Sequence, residues 1–438
     1  MRRTGGLLLV LALGEGIAAA ETPSAGPDLP FAIGPDAPIP PRPPREAGTL
    51  DAAPVEVWRR ALPAPPVNAA THAERGRPVI SHGDIFLGAA GGKALYRLGL
   101  HDGRAYDSFA AEGAVQSAPV VAEGRVWFAD TAGSVWCYAL DGALLWTYRL
   151  GSPILADPTL ADGLLFVASV TDTVVALDAN TGELTWRYQQ RPDPTRAGEL
   201  ALYASPAPTV LGEALLVGFS TGEVVALDRR RGEPLWSRRV GEGRYPDVVA
   251  PVIAVGSDLV ASGYYGPIVA IDTRTQNVRW RVDAGIGARP IVIDRDGPVV
   301  LLPDTTGGLR AIVALTGAEL WRWDSQTDGP LGEPVPTPLG VLVGATEGSL
   351  YAVDPATGQT RWAWHGDQVL SGVSAAPAVW GRTVVFVTNA GIVHALVAPR
   401  PSRDTDDGWL DVFPRDVADN AEEAPKKKAP KADPAMLR

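Results

Sequence analysis

The chain has 438 residues, 46% of them hydrophobic, with 48 Gly, 40 Pro, one Cys and a formal charge of −11 at neutral pH. That balance excludes a basic footprint for nucleic acid. A single Cys excludes any intramolecular disulfide, and the five His stand at no HxH or HxxxH spacing that would point to zinc.

In chain order, residues 1–20 read as an export signal. Arg2 and Arg3 give the basic start, Leu7 to Leu13 the apolar stretch, and Ala18, Ala19 and Ala20 a small-residue cleavage site before Glu21. The apolar run is too short to span a bilayer, and no Cys follows it, so neither a membrane span nor a lipid anchor is expected. Residues 21–54, with Pro38, Pro40, Pro41, Pro43 and Pro44, read as an extended spacer with little to bury.

From residue 55 to 398 one pattern recurs. Its clearest copy runs Val174, Val175, Ala176, Leu177, Asp178, then Gly182 and Trp186. The frame returns at Ala226, Leu227, Asp228, Gly232, Trp236 and at Ala352, Val353, Asp354, Gly358, Trp362. Ala270, Ile271, Asp272, Trp280 keep it with Gln276 in the Gly slot, and shorter copies end at Trp146 and Trp321. The six motif tryptophans lie 40, 50, 44, 41 and 41 residues apart, a period that marks a repeat architecture. Each unit holds four short β-rich runs separated by turn residues, so each is read as a four-stranded antiparallel blade. Gly182 and Gly232 are assigned to positive-φ turns, the motif aspartates to backbone-bonded turns, and the tryptophans to filling space between blades. In the earliest unit the Trp slot falls at Asp107, and Tyr106 is expected to supply the missing ring. Cys137 stands in the slot of Ala176 and is expected to be a buried small residue.

The last unit reaches Val393, His394, Ala395, Leu396 and then meets Pro399 and Pro401 without a Trp strand. Val55, Glu56, Val57, Trp58, Arg59 supply one from the other end. The expected fold is therefore all-β, an eight-bladed propeller of four-stranded antiparallel blades closed by an N-terminal strand. Residues 399–438 read as a disordered charged tail, with Trp409, Leu410, Val412 and Phe413 as one apolar island.

No catalytic motif appears: a Gly-x-Ser-x-Gly elbow, a Walker loop and a dinucleotide fingerprint are all missing. No catalytic, cofactor-binding or metal-ligating residue is assigned. The repeat resembles the pyrroloquinoline-quinone (PQQ) dehydrogenases at the level of architecture. Those enzymes are longer, hold calcium and often carry a vicinal disulfide, so the resemblance implies an oxidoreductase only as an alternative. A ligand- or cell-wall-binding propeller is a third class.

Three stretches are similar to the BamB family, the propeller subunit of the outer-membrane β-barrel assembly machinery. They are Leu200, Ala201, Leu202, Tyr203 leading into Ser205, Pro206, Ala207; Arg244 to Val249 before Pro251 and Val252; and Tyr264 to Asp272. Tyr203 stands where the family has Arg, and Val249 where it has a second acid. The resemblance implies a non-catalytic periplasmic scaffold, monomeric, outer-membrane associated and bound to the periplasmic region of a BamA-like barrel-assembly protein; the family is normally lipid-anchored, but with no Cys to modify this chain is expected to associate without a lipid anchor. It implies Leu200, Leu202, Tyr203, Arg244 and Asp247 as partner-binding residues. The 50-residue step between Trp186 and Trp236 places its surplus at 189–203. Segment 241–249 follows on the neighbouring blade, and extra loop length on a rigid scaffold is where binding residues concentrate.

Overall fold

Short runs of Val, Leu, Ile and Ala alternate with Gly-centred turns along the repeat region, and they fold into strands joined by tight hairpins. The computed structural model describes residues 53–63, 74–191, 206–243, 245–264, 266–326, 329–346, 348–366 and 372–398. No helix forms among the described residues, and their strands make eight four-stranded antiparallel sheets. We number the blades 1 to 8 by the start of their first strand, from Val79–Ser81 in blade 1 to Ala378–Trp380 in blade 8. In blades 1 to 7 the four strands follow one another in sequence and in space.

Blade 8 has three strands of its own, ending at Ile392–Val397, and Val55–Ala61 pairs antiparallel with that last strand as its fourth. The expected closure is thus present. Glu56 pairs with Leu396 and Trp58 with Ala395, so the N-terminal strand places a Trp opposite an Ala, as Trp186 lies opposite Ala176 in blade 3.

The reason for the Ala-to-Trp spacing is a bulge. In all eight blades the register between third and fourth strands slips by one residue just before the Trp slot. Such a bulge re-aims the following side chain. It turns the Trp toward the next blade, over the Gly of that blade's last turn. A Cβ on Gly182 would fall 2.6 Å from the Trp146 ring, and one on Gly358 2.8 Å from Trp321. The indole N–H then donates to the next blade as well: Trp146 to Ala179 O at 3.1 Å, Trp186 to Arg229 O at 2.9 Å, Trp280 to Ala314 O at 2.6 Å, and Trp321 to Pro355 O at 3.1 Å. Trp58 does the same across the closure, to Leu100 O at 2.9 Å over Gly103. The motif Gly therefore has two duties, a positive-φ turn and a seat for the neighbouring indole.

Blade 1 departs from the expectation. Tyr106 is its bulged residue, so it is 57% exposed and its hydroxyl lies against Gly99 of its own blade. It does not replace the missing ring. Arg97, in the Ala slot opposite Asp107, reaches across instead: Nη1 donates to Leu140 O at 3.0 Å, and Nε donates to Asp84 at 2.7 Å. Blade 1 has exchanged small Ala plus large Trp for large Arg plus small Asp, keeping the bond to the next blade.

Two seams lack the clasp. Trp236 faces the turn where Gln276 holds the Gly position at φ 57°, and Trp362 faces blade 8, whose fourth strand comes from the other chain end. Both indole N–H groups are buried without a hydrogen-bond partner. At blade 8 the equivalent carbonyl, Ala398 O, is taken by Arg382 Nη1 at 2.9 Å.

The remaining motif residues sit as expected. Asp178 accepts the amides of Asn180 and Thr181 at 2.9 Å each, which holds its carboxyl below the ordinary range. Cys137 is fully buried in the Ala slot, and burial pushes its thiol up to about 11.

Candidate functional site

Two places on one face of the ring gather the polar chemistry: the axial channel and the rim of blades 4 and 5. Both are built from the connections that run from a fourth strand to the next first strand.

The channel is lined by the residue two before each first strand. By register these are Arg77, Ala118, Asp157, Ala207, Pro251, Arg289, Glu333 and Ala376, one per blade. Proline follows this position in every blade but blade 5. Pro removes an amide donor and holds its predecessor extended, which suits a chain turning inward at the axis. Four blades put a small or apolar residue there and four a charged one.

Arg77 spans three blades. One terminal nitrogen donates to Asp157 Oδ2 at 2.6 Å, across Ala118 of blade 2, and the other to Glu333 Oε1 at 2.9 Å, across Ala376 of blade 8. Asp157 also accepts the Ala118 amide at 2.6 Å. Burial pulls the Arg77 guanidinium down, but the Asp157 and Glu333 carboxylates outweigh it and hold it above its ordinary value. Burial pushes Glu333 up, and Arg77 and Arg289 offset this only in part. The two directions differ because Arg77 stays charged throughout, so the cost of leaving water falls on Glu333. Arg289 Nε stands 3.8 Å from Glu333 Oε1, outside hydrogen-bond reach. Beside this ring the channel holds an open pocket of about 180 Å³.

Close by, Glu74 is fully buried where blades 8, 1 and 2 meet. Its carboxylate accepts Ala90 N at 3.0 Å and Gln116 Nε2 at 3.1 Å, while its own amide donates to Asn389 Oδ1 at 3.0 Å. Burial outweighs these bonds and raises its carboxyl to about 7.

The donor set of the channel does not suit a calcium-dependent quinone site. Asp157 and Glu333 are the carboxylates of the ring, and both are already bonded to Arg77. Among the described residues no group of three His, Cys, Asp or Glu could hold a metal ion.

At the rim, Leu200, Leu202, Tyr203 and Arg244 lie outside the described residues. Asp247 is described, and it is fully buried. Its carbonyl accepts the Tyr264 amide at 2.8 Å, joining the 241–249 connection to blade 5. Pro246 is wedged among Gly222, Gly241 and Gly263, where a Cβ on any of the three would collide with it, and Val248 is buried against Gly218. Glu242 and Gly243 remain exposed. Half of this connection is thus embedded, and no local pattern marks the glycines that admit it, because they are far apart in the chain.

Outside the rim, the unclasped seam between blades 4 and 5 opens into a groove of about 320 Å³, lined by Arg238, Arg239, Glu242, Val269, Val278 and Arg281. Two side-chain contacts bridge it: Arg238 Nη1 donates to Gln276 O, and Arg281 Nη1 pairs with Glu242 Oε1 at 2.9 Å on the exposed side.

The channel residues carry a signal in the sequence. Arg77, Asp157, Arg289 and Glu333 each precede a Pro in the same repeat slot that holds Ala118, Ala207 and Ala376. Charges in a slot otherwise held by Ala mark positions where packing alone does not set the residue.

Comparison with known proteins agrees with this architecture. The family model described as outer membrane protein assembly factor BamB matches residues 128–302 and 305–400. The outer membrane protein assembly factor BamB of Burkholderia pseudomallei is 30% identical over 274 residues, covering 60% of this chain and 69% of that protein. The Yersinia pestis protein of the same name is 24% identical, covering 59% and 65%. Among solved structures, BamB from Moraxella catarrhalis superposes with a TM-score of 0.64 at 19% identity, covering 79% of this chain and all of that one. A quinohemoprotein alcohol dehydrogenase from Comamonas testosteroni reaches 0.63 at 15% identity, covering 88% and 82%, a likeness of fold alone. With more than half of its length matched by the family model, the chain belongs to the outer membrane protein assembly factor BamB family.

Proposed function

We infer that the protein is a non-catalytic periplasmic scaffold that docks the periplasmic region of a BamA-like barrel-assembly protein through the rim of blades 4 and 5. The observation that carries the reading is the family match over 128–302, which contains both rim connections, 189–203 and 241–249. The strands flanking those connections, Leu184–Gln189 with Thr209–Leu211 and Pro234–Arg239 with Ile253–Val255, are fourth and first strands of successive blades. Leu200, Leu202 and Tyr203 would give apolar contact and Arg244 a charged bond for orientation. Asp247, being buried, would act by holding 241–249 in shape, so the interface is tested through its neighbours. Residues 1–20 would direct export and 21–54 would serve as a spacer, with the mature chain beginning at or near Glu21.

The test is co-purification with the periplasmic region of the assembly protein. Leu202→Arg combined with Arg244→Glu should abolish it while the melting temperature stays within a few degrees. Retained binding by this folded double variant would overturn the docking site. Mixing the purified protein with PQQ and calcium and assaying dye-linked alcohol oxidation should give no turnover; turnover would overturn the non-catalytic reading.

A further inference from the structure

The geometry points to a second binding site, independent of the rim: the axial cavity takes a small aliphatic monocarboxylate, held at its charged end by Arg289, Arg75 and Ser374.

The argument starts from hydrogen-bond capacity. An Arg carries five N–H donors in a planar fork, and buried donors are rarely left unmatched. Arg77 spends its terminal nitrogens on Asp157 and Glu333. Arg289 lines the same cavity and makes no hydrogen bond among the described residues; its Nε is buried without a partner and its nearest acid is 3.8 Å away. Ser374 Oγ, also on the cavity wall, is buried without a partner. Arg75 lines the cavity too, and its side chain has no ion pair among the described residues. Two buried donors, from blades 6 and 8, therefore face one space without acceptors, and the exposed Arg75 of blade 1 stands at its edge.

Charge sets the ligand's valence. The wall carries Arg75, Arg77 and Arg289 against Asp157 and Glu333, a surplus of one positive charge. One negative charge balances it, whereas a second would meet the two carboxylates. Shape sets the class. A carboxylate offers two coplanar oxygens to a guanidinium fork. The slots of blades 4 and 5 present only Ala207 and Pro251, flanked by Pro206 and Val249, an apolar wall for a short hydrocarbon tail. A pocket of about 180 Å³ has room for a tail of a few carbons. This combination of apolar wall and few fixed polar groups is the usual make-up of a small-molecule site.

The probe is sodium butyrate added to the full chain, followed by calorimetry and by thermal unfolding, with sodium chloride at matched ionic strength as reference. Butyrate should bind saturably and raise the melting temperature, because a ligand specific to the native state stabilises it in proportion to its occupancy. Succinate should bind at least tenfold more weakly. Arg289→Met should weaken butyrate at least tenfold with the melting temperature of the free protein within a few degrees. Arg289→Lys, which keeps the charge but loses the fork, should fall between the two and serves if the Met variant does not fold. A butyrate response equal to that of chloride would overturn the proposal. So would native-like butyrate affinity in either folded variant, or tighter binding of inorganic phosphate than of butyrate.

Discussion

The seams on the two sides of blade 5 are built from the same repeat and hold in opposite ways. Toward blade 6, Trp280 is buried over Gly317 and donates to Ala314 O at 2.6 Å. Toward blade 4, Trp236 meets Gln276, is only half buried, and leaves its indole N–H unpaired beside an open groove. One residue in the Gly slot separates the two outcomes. A Cβ there cannot coexist with an indole at 2.6 Å, so the ring stands off and loses its carbonyl. What replaces the indole bond is Arg238 Nη1, which donates to Gln276 O, together with an Arg281–Glu242 pair about half exposed on both sides; such exposed pairs contribute only ~0–1 kcal/mol. The repeat thus sets the ring's geometry evenly but its cohesion unevenly, and the loose seam lies beside the 241–249 connection proposed to dock a partner.

The largest expected effect comes from the closing strand, which supplies both a sheet edge and the Trp58 clasp. Removing residues up to 61 should abolish soluble folded protein, since blade 8 would present an open edge, whereas a chain beginning at residue 50 should melt as the full chain does. Equal melting temperatures for the two truncations would show that closure adds nothing.

Next come the two sides of blade 5. Trp280→Ala should cost about 3–5 kcal/mol in urea unfolding, the usual range for a buried Trp. Trp236→Ala should cost about 2 kcal/mol or less, because part of its ring is already exposed and its N–H is unmatched in the native state. Similar losses at both positions would mean that the missing clasp has no energetic content.

The pH response of the blade 8–1–2 junction follows in size. Glu74 titrates near 7 in the folded chain against an ordinary 4.5. The folded state binds the extra proton, so this contribution is fully present below pH 4.5 and is lost as pH rises through 7. The shift corresponds to about 3 kcal/mol. Glu74→Gln should remove that fall between pH 5 and 8, leaving a flatter curve; a parallel curve would show the carboxyl ionised throughout.

The smallest effect is the repair of the loose seam. Gln276→Gly relieves a left-handed backbone at φ 57° and opens the seat for Trp236. It should gain about 1 kcal/mol and shift the Trp emission to the blue. A loss of stability would show that the groove, not the clasp, is the favoured state of this seam.

The fold was legible because a period of about 40 residues with four short β-rich runs has few solutions, and because Val55–Arg59 carries the Trp strand that the last unit lacks. The Asx turns at Asp178 and its equivalents, and the buried Cys137, were legible for the same reason: their partners lie within a few residues or in the same repeat slot. Tyr106 was misread because the sequence shows that a ring is missing, but only the bulge decides which of two adjacent residues faces the next blade. Arg97, on the neighbouring strand, filled the gap from a slot that gave no local hint.

What the sequence determined by itself was periodic and local: strands, turns, blade number and the pairing of the two chain ends, all fixed by hydrophobic pattern and turn chemistry over a few residues. What only the tertiary structure decided was convergent. Arg77, Asp157, Arg289 and Glu333 are up to 256 residues apart, yet they form one charged ring. Each is the same slot of a different blade, and eightfold closure turns that slot toward a common axis. Burial of Asp247 follows likewise from three distant glycines that admit Pro246. Closure of the ring, a property of the whole chain, brings such residues within bonding distance; the repeat slot marks where each lies along the chain, but not which of them meet at the axis.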